Sequence, residues 1–194
     1  MKKTISIIII SLVVLLVAAT ITLALVPFTC YSPITEGYSL ITVYKNSYNN
    51  QNTYIDSTEE YKKISELYEA SLKQNILSTM FQGALGNKTE LEKVSSSTVK
   101  TLLNGEDSGY FIEFDYNSEQ TLVWEDEEYT YTDGKTEKVA KYTSLLLEVK
   151  NTDNFTETTV YVVNGSSYLF KITSLAQQSE LFEYVNNLVW SGQN

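Results

Sequence analysis

Apolar residues change their spacing along this chain, and each spacing predicts a different element. From Ile5 to Val26 they run unbroken, 22 residues of Ile, Leu, Val, Ala, Ser and Thr without a charge. At the helical rise of about 1.5 Å per residue such a run spans about 33 Å, enough for a hydrocarbon core of about 30 Å. Beyond it the spacing becomes helical. Ser57-x-x-Glu60 has the form of a capping box, and Ile64, Leu67, Tyr68, Ser71 and Leu72, then Ile76, Met80 and Phe81, recur on one helix face before Gly83 and Gly86 supply a stop. From Tyr110 the period becomes two. Tyr110, Ile112, Phe114 and Tyr116 share one strand face, and Glu113 and Asp115 lie on the other.

Further strands are predicted over 121–125, 128–132, 138–150, 155–163 and 168–173, with Leu145, Leu147 and Val149 on one face of the longest. Asp133-Gly134 and Asn164-Gly165 are hairpin signals. Leu181, Phe182, Val185, Leu188 and Val189 make the apolar stripe of a closing helix, about Leu175 to Trp190. Tyr38 to Tyr44 reads as a strand, Lys45 to Tyr54 as a polar loop, 89–94 as a short helix, and 98–103 as either helix or strand. Strands this close in sequence pair as an antiparallel meander. The expected class is therefore α+β: an N-terminal transmembrane helix, then one domain with a five- or six-stranded antiparallel meander and helices packed on one face. The expected divisions are a membrane anchor or signal segment (1–26), an exit linker with a strand in it (27–56), and an extracytoplasmic α+β domain (57–194). In element order alone this outline resembles a cystatin-like helix-plus-curved-sheet fold, and folds of that kind host unrelated functions.

Charge then orients the apolar run. Lys2 and Lys3 precede it and the first charge after it is Glu36, so the positive-inside rule keeps the N-terminus in the cytoplasm and sends the rest out. The expected location is a single-pass membrane protein with residues 5–26 in the bilayer. A cleaved signal peptide, followed by secretion, is the alternative; its apolar region is usually shorter, about 7–15 residues, and Thr22-Leu23-Ala24 matches a cleavage site only loosely. Lipoprotein processing at Cys30, the sole cysteine, would require a small-residue pattern that Pro27, Phe28 and Thr29 do not follow. The remaining choices for Cys30 are an intermolecular disulfide and an idle thiol, and the idle thiol is the simpler. Pro27 and Pro33, the only prolines, flank the exit from the membrane.

Composition narrows the chemistry. The whole chain carries −10, and without Lys2 and Lys3 the part beyond the apolar run carries −12. Such a charge argues against nucleic acid, whose binding is driven by cations neutralising phosphates. All basic residues are Lys, and His is absent. That removes His-dependent triads, Cys–His pairs, the common His/Cys zinc sites and bidentate Arg clamps.

The motifs that remain have plain explanations. Gly83-Ala-Leu-Gly86-Asn-Lys88-Thr89 departs from a phosphate loop because Asn87 separates Gly86 from Lys88 and the segment follows a helix. Glu125-Asp-Glu-Glu128 reads as a solvated turn, and Asn151 to Asn154 with Glu157 nearby as an Asx-type turn rather than a calcium loop. Glu113 and Asp115, two apart on one strand face, have the separation a glycosidase pair would use, but alternation alone produces that on any half-exposed strand. Asn87, Asn154 and Asn164 begin N-x-Ser/Thr triplets. The 15 Tyr against 7 Phe hint at a contact surface, although core packing accounts for strand aromatics equally well. No residue is singled out as catalytic, cofactor-binding or metal-ligating, and no cofactor is expected. The expected function is a membrane-tethered extracytoplasmic module that binds a protein or glycan partner. The alternatives are a carboxylate-dependent hydrolase of envelope polymers, using Glu113, Asp115 or Glu125, and a structural subunit whose membrane helix packs on another through Ser6, Ser11 or Thr20.

Overall fold

The computed structural model describes residues 2–25, 27–45, 50–75, 91–104, 109–125 and 137–190. It opens with helix α1 (Lys2–Leu25). The 18 residues Ile8–Leu25 are apolar enough to cross a membrane or to act as a signal sequence, and none of that stretch is buried against the rest of the chain. The side chains obey the same logic: Leu15 and Leu16 are exposed among the described residues.

The remainder is α+β, built on a large antiparallel sheet. Among the described residues the sheet has seven strands, not five or six, in the order β3-β2-β6-β7-β8-β9-β5. The strands are β2 (Tyr38–Lys45), β3 (Gln51–Ile55), β5 (Leu91–Lys93), β6 (Tyr110–Glu125), β7 (Glu137–Val149), β8 (Thr156–Asn164) and β9 (Ser167–Ala176). The run β6 to β9 is the expected meander. The extra strands come from segments read as linker, loop and short helix: β2 and β3 form a hairpin that pairs through β2 with β6, and β5 pairs with β9. A smaller ribbon joins β1 (Pro27–Thr29) to β4 (Lys73–Asn75). Residues of the expected exit linker thus supply three strands.

Alternation along β6 sorts its residues as its sequence predicts. Ile112, Phe114 and Tyr116 enter the main core with Ile41, Val43, Leu145, Leu147 and Val162, under helices α2 (Glu59–Ser71) and α4 (Ser179–Asn186). Ile64, Tyr68, Leu181 and Val185 are the helical contributions to that cluster. Phe111 points the other way and joins a second cluster with Tyr44, Leu146, Tyr161 and Val163, closed by Val99 and Leu103 of α3 (Ser96–Asn104). Helices therefore occupy both faces of the sheet rather than one. The reason lies in the middle strands, where Leu145-Leu146-Leu147 and Tyr161-Val162-Val163 are buried on both sides and need cover on both.

Several boundaries differ from expectation. The strand predicted over 121–125 is the continuation of β6 past a register shift between Asp115 and Gln120, an irregularity that bends a strand without ending it. The strand over 128–132, the Asp133-Gly134 turn and the Gly83–Thr89 segment lie outside the described residues. At Asn164-Gly165 the β8–β9 turn forms as expected, with Gly165 at φ 59°, a left-handed conformation glycine adopts at least cost. The last helix begins at Ser179 because Leu175 and Ala176 complete β9 by pairing with Glu157 and Thr156. α2 is capped by Thr58, not Ser57: the Thr58 hydroxyl accepts from the Tyr61 amide at 3.3 Å. It ends at Ser71 because the next carbonyls are taken from outside the helix, Ser71 by the Gln177 amide and Leu72 by the Cys30 amide, each at 2.9 Å.

The segment after β1 is stitched to the domain. Beyond the Cys30–Leu72 bond, the Tyr31 carbonyl accepts from the Ser174 hydroxyl at 2.5 Å, Ser32 Oγ is hydrogen-bonded to the Tyr68 hydroxyl, and Tyr116 donates to the Thr35 carbonyl at 2.9 Å. Tyrosine hydroxyls do much of this tying. Tyr61 reaches the Tyr38 carbonyl and Tyr110 reaches Asn186 Oδ1, each at 2.6 Å, and Lys45 lies over the Tyr110 and Trp190 rings.

Candidate functional site

The polar side of β6 is where chemistry-bearing side chains converge. Glu113 and Asp115 project from the face opposite the main core, beside the cluster that α3 covers. Register decides their neighbours. Glu113 pairs with Thr42 of β2 and Leu146 of β7, so Tyr44 and Ser144 lie on the diagonals. From there Tyr44 donates its hydroxyl to Glu113 Oε2 at 2.5 Å, and Ser144 donates to Oε1 at 2.6 Å. Both partners are buried, Tyr44 at 6% and Ser144 at 2% exposure, so the Glu113 carboxylate is fixed by two short charge-assisted bonds. Thr42, also buried, meets Thr53 of the edge strand at 3.1 Å and extends the polar strip toward β3.

Asp115 is half-buried beside this pair. Burial first, and then the Glu113 charge, push its carboxyl up to about 6. A carboxyl near 6 beside a held carboxylate can exchange protons close to neutral pH, a condition for general acid–base work. Against that stands the state of Glu113, which has a donor on each oxygen and so none committed to a substrate. Tyr44 and Ser144 carry no mark in the sequence. They lie 69 and 31 positions from Glu113, and only strand pairing brings them to it.

The other flagged residues do not join this site. Glu125 ends β6, and Asp126 to Glu128 lie outside the described residues, as does the triplet at Asn87. Asp153, Asn154 and Glu157 are exposed on or beside the β7–β8 connection. The Asn164 amide donates to the Lys141 carbonyl at 3.0 Å. Cys30 is buried at 6% exposure, and burial raises its thiol above the ordinary range, which makes it a poor nucleophile. The tyrosine excess finds its explanation in packing. Among the described tyrosines only Tyr31 is exposed, at 53%, whereas Tyr44, Tyr68, Tyr110, Tyr116, Tyr142 and Tyr161 are buried. These six are core area, and Tyr44, Tyr68, Tyr110 and Tyr116 carry a hydroxyl that reaches a partner, whereas Tyr38, Tyr54, Tyr61 and Tyr184 are half-buried.

No family model, curated protein or solved structure matches this chain. The outline likeness to cystatin-like folds therefore rests on element order alone.

Proposed function

We propose that this chain is a membrane-tethered module that binds a protein or glycan partner outside the cytoplasm. One observation carries the reading: an apolar helix, whose stretch Ile8–Leu25 is not buried among the described residues, leads, with Val26 alone intervening, into an acidic α+β domain. Lys2 and Lys3 ahead of the helix favour an inside N-terminus. The exposed edge-strand residue Thr53, with the half-buried carboxyls of Glu113 and Asp115 on the same strip, is the surface we assign to the partner, and the buried Thr42 and Ser144 hydroxyls hold it in place from below.

The hydrolase reading retains one supporting observation, the raised Asp115 carboxyl. The structural-subunit reading rests on Ser6, Ser11 and Thr20; the Thr20 hydroxyl returns to the Leu16 carbonyl at 2.9 Å and keeps its oxygen lone pairs for a donor on a neighbouring helix.

Membranes from cells making the chain test the tether. The protein stays with them through an alkaline carbonate wash, and protease added outside digests the domain. Release of a shortened chain into the medium contradicts the anchor while leaving export in place. Turnover of a peptide, glycan or ester by the purified protein, abolished by Asp115→Asn or Glu113→Gln with the fold intact, replaces the binding module with the hydrolase.

A further inference from the structure

We infer that the β1–β4 ribbon, with the C-terminal end of α2 behind it, is a membrane-facing base, seated among the phospholipid headgroups where α1 leaves the bilayer. This rests on the reading of α1 as a retained membrane helix. The apolar stretch persists to Leu25 and β1 begins at Pro27. At about 3.3 Å per extended residue, Thr29 lies no more than about 13 Å beyond Leu25, even with the chain running straight outward. The headgroup layer on each side of the hydrocarbon is about 5–8 Å deep. β1 therefore starts inside that layer and draws Asn75, paired with Pro27, to the same depth, while Lys73, paired with Thr29, stands up to about 7 Å further out, within reach of the headgroups through its long side chain. The register Pro27↔Asn75, Phe28↔Gln74 and Thr29↔Lys73 places the whole of β4 against it.

The segment after β1 is hydrogen-bonded into the domain. The Cys30 amide bonds the Leu72 carbonyl at 2.9 Å, Ser174 holds the Tyr31 carbonyl at 2.5 Å, and Ser32 bonds Tyr68 in the core. These bonds bind residues 30–32 to α2 and β9, so the chain just beyond β1 is part of the domain. The side chains offered there suit the place. Tyr31 is exposed at 53%, and Lys73 is exposed on β4. A tyrosine ring with a polar tip and a lysine with an apolar stem are the side chains that settle at a lipid–water boundary. In an outer part carrying −12, Lys73 is set against phosphate beside the exposed Glu66 and Glu69 of the last turns of α2.

The test uses the full chain in phosphatidylcholine vesicles. With Cys30→Ser as background, single cysteines at Tyr31→Cys, Lys73→Cys and, for contrast, Ser57→Cys each carry a nitroxide label. Ser57 precedes α2, whose 13 residues place it about 20 Å from the base. The expected result is that a water-soluble nickel chelate relaxes the labels at 31 and 73 several-fold less than the label at 57, while oxygen, which concentrates in lipid, relaxes them more. Burial in protein would lower both. Equal nickel access at all three positions, in a chain that floats with the vesicles, overturns the seated base and leaves the anchor standing. A chain that does not float with the vesicles overturns both.

Discussion

Asp115 shows how a residue's behaviour follows from its neighbours. Its ordinary value is near 3.8, and burial with the Glu113 charge moves it to about 6. Between those values the folded protein keeps a proton that the unfolded chain releases, so this group's contribution to stability falls as pH rises through about 4 to 6 and is lowest above 6. Asp115→Asn removes the charge that burial disfavours. The variant is expected to match the parent near pH 4 and to exceed it at pH 7–8 by up to about 1 kcal/mol, a ceiling set by partial solvent screening. Urea midpoints across that range check it; a variant weaker than the parent at pH 8 contradicts the assigned cause. Tyr44→Phe tests the neighbouring group. It keeps the ring in the second cluster and leaves Glu113 Oε2 without its buried donor, an expected loss of about 1.5–3 kcal/mol, measured by equilibrium unfolding.

The elements were readable where their signals were local and repeated. Phe114, Leu147 and Val185 were expected inside because each sits on the apolar face of its element, and all three are at 0% exposure in one cluster. Leu147→Ala is expected to cost about 2–5 kcal/mol in a urea titration, the range for opening a cavity in a close-packed core. A change within about 0.5 kcal/mol would be a surface value. Element ends were less readable. Ser57 and Thr58 are both capping residue types, and the choice between them depends on which hydroxyl meets the first turn. Thr58→Ala is therefore expected to cost about 0.5–2 kcal/mol, and Ser57→Ala much less. The C-terminal limit of α2 and the start of α4 were set by groups far away in sequence, the Cys30 amide on Leu72 and the pairing of Leu175 and Ala176 with β8.

For the whole molecule, local patterns along the chain were enough to set the long apolar N-terminal segment, the α+β class and the opposite facing of apolar and acidic residues along β6. Composition also set the lack of His and Arg, which excludes most catalytic vocabulary. These are properties of composition and of periods two and 3.6, set by covalent geometry within a few residues. Tertiary structure decided the rest: the seven-stranded order, the helices on both faces, the drawing of residues 38–55 into the sheet, and the meeting of Tyr44, Glu113 and Ser144. Strand alternation tells which way a side chain points but not which strand lies beside it. That choice comes from cross-strand register, a balance of pairing, burial and loop closure over separations of 31 to 69 residues that no local window contains.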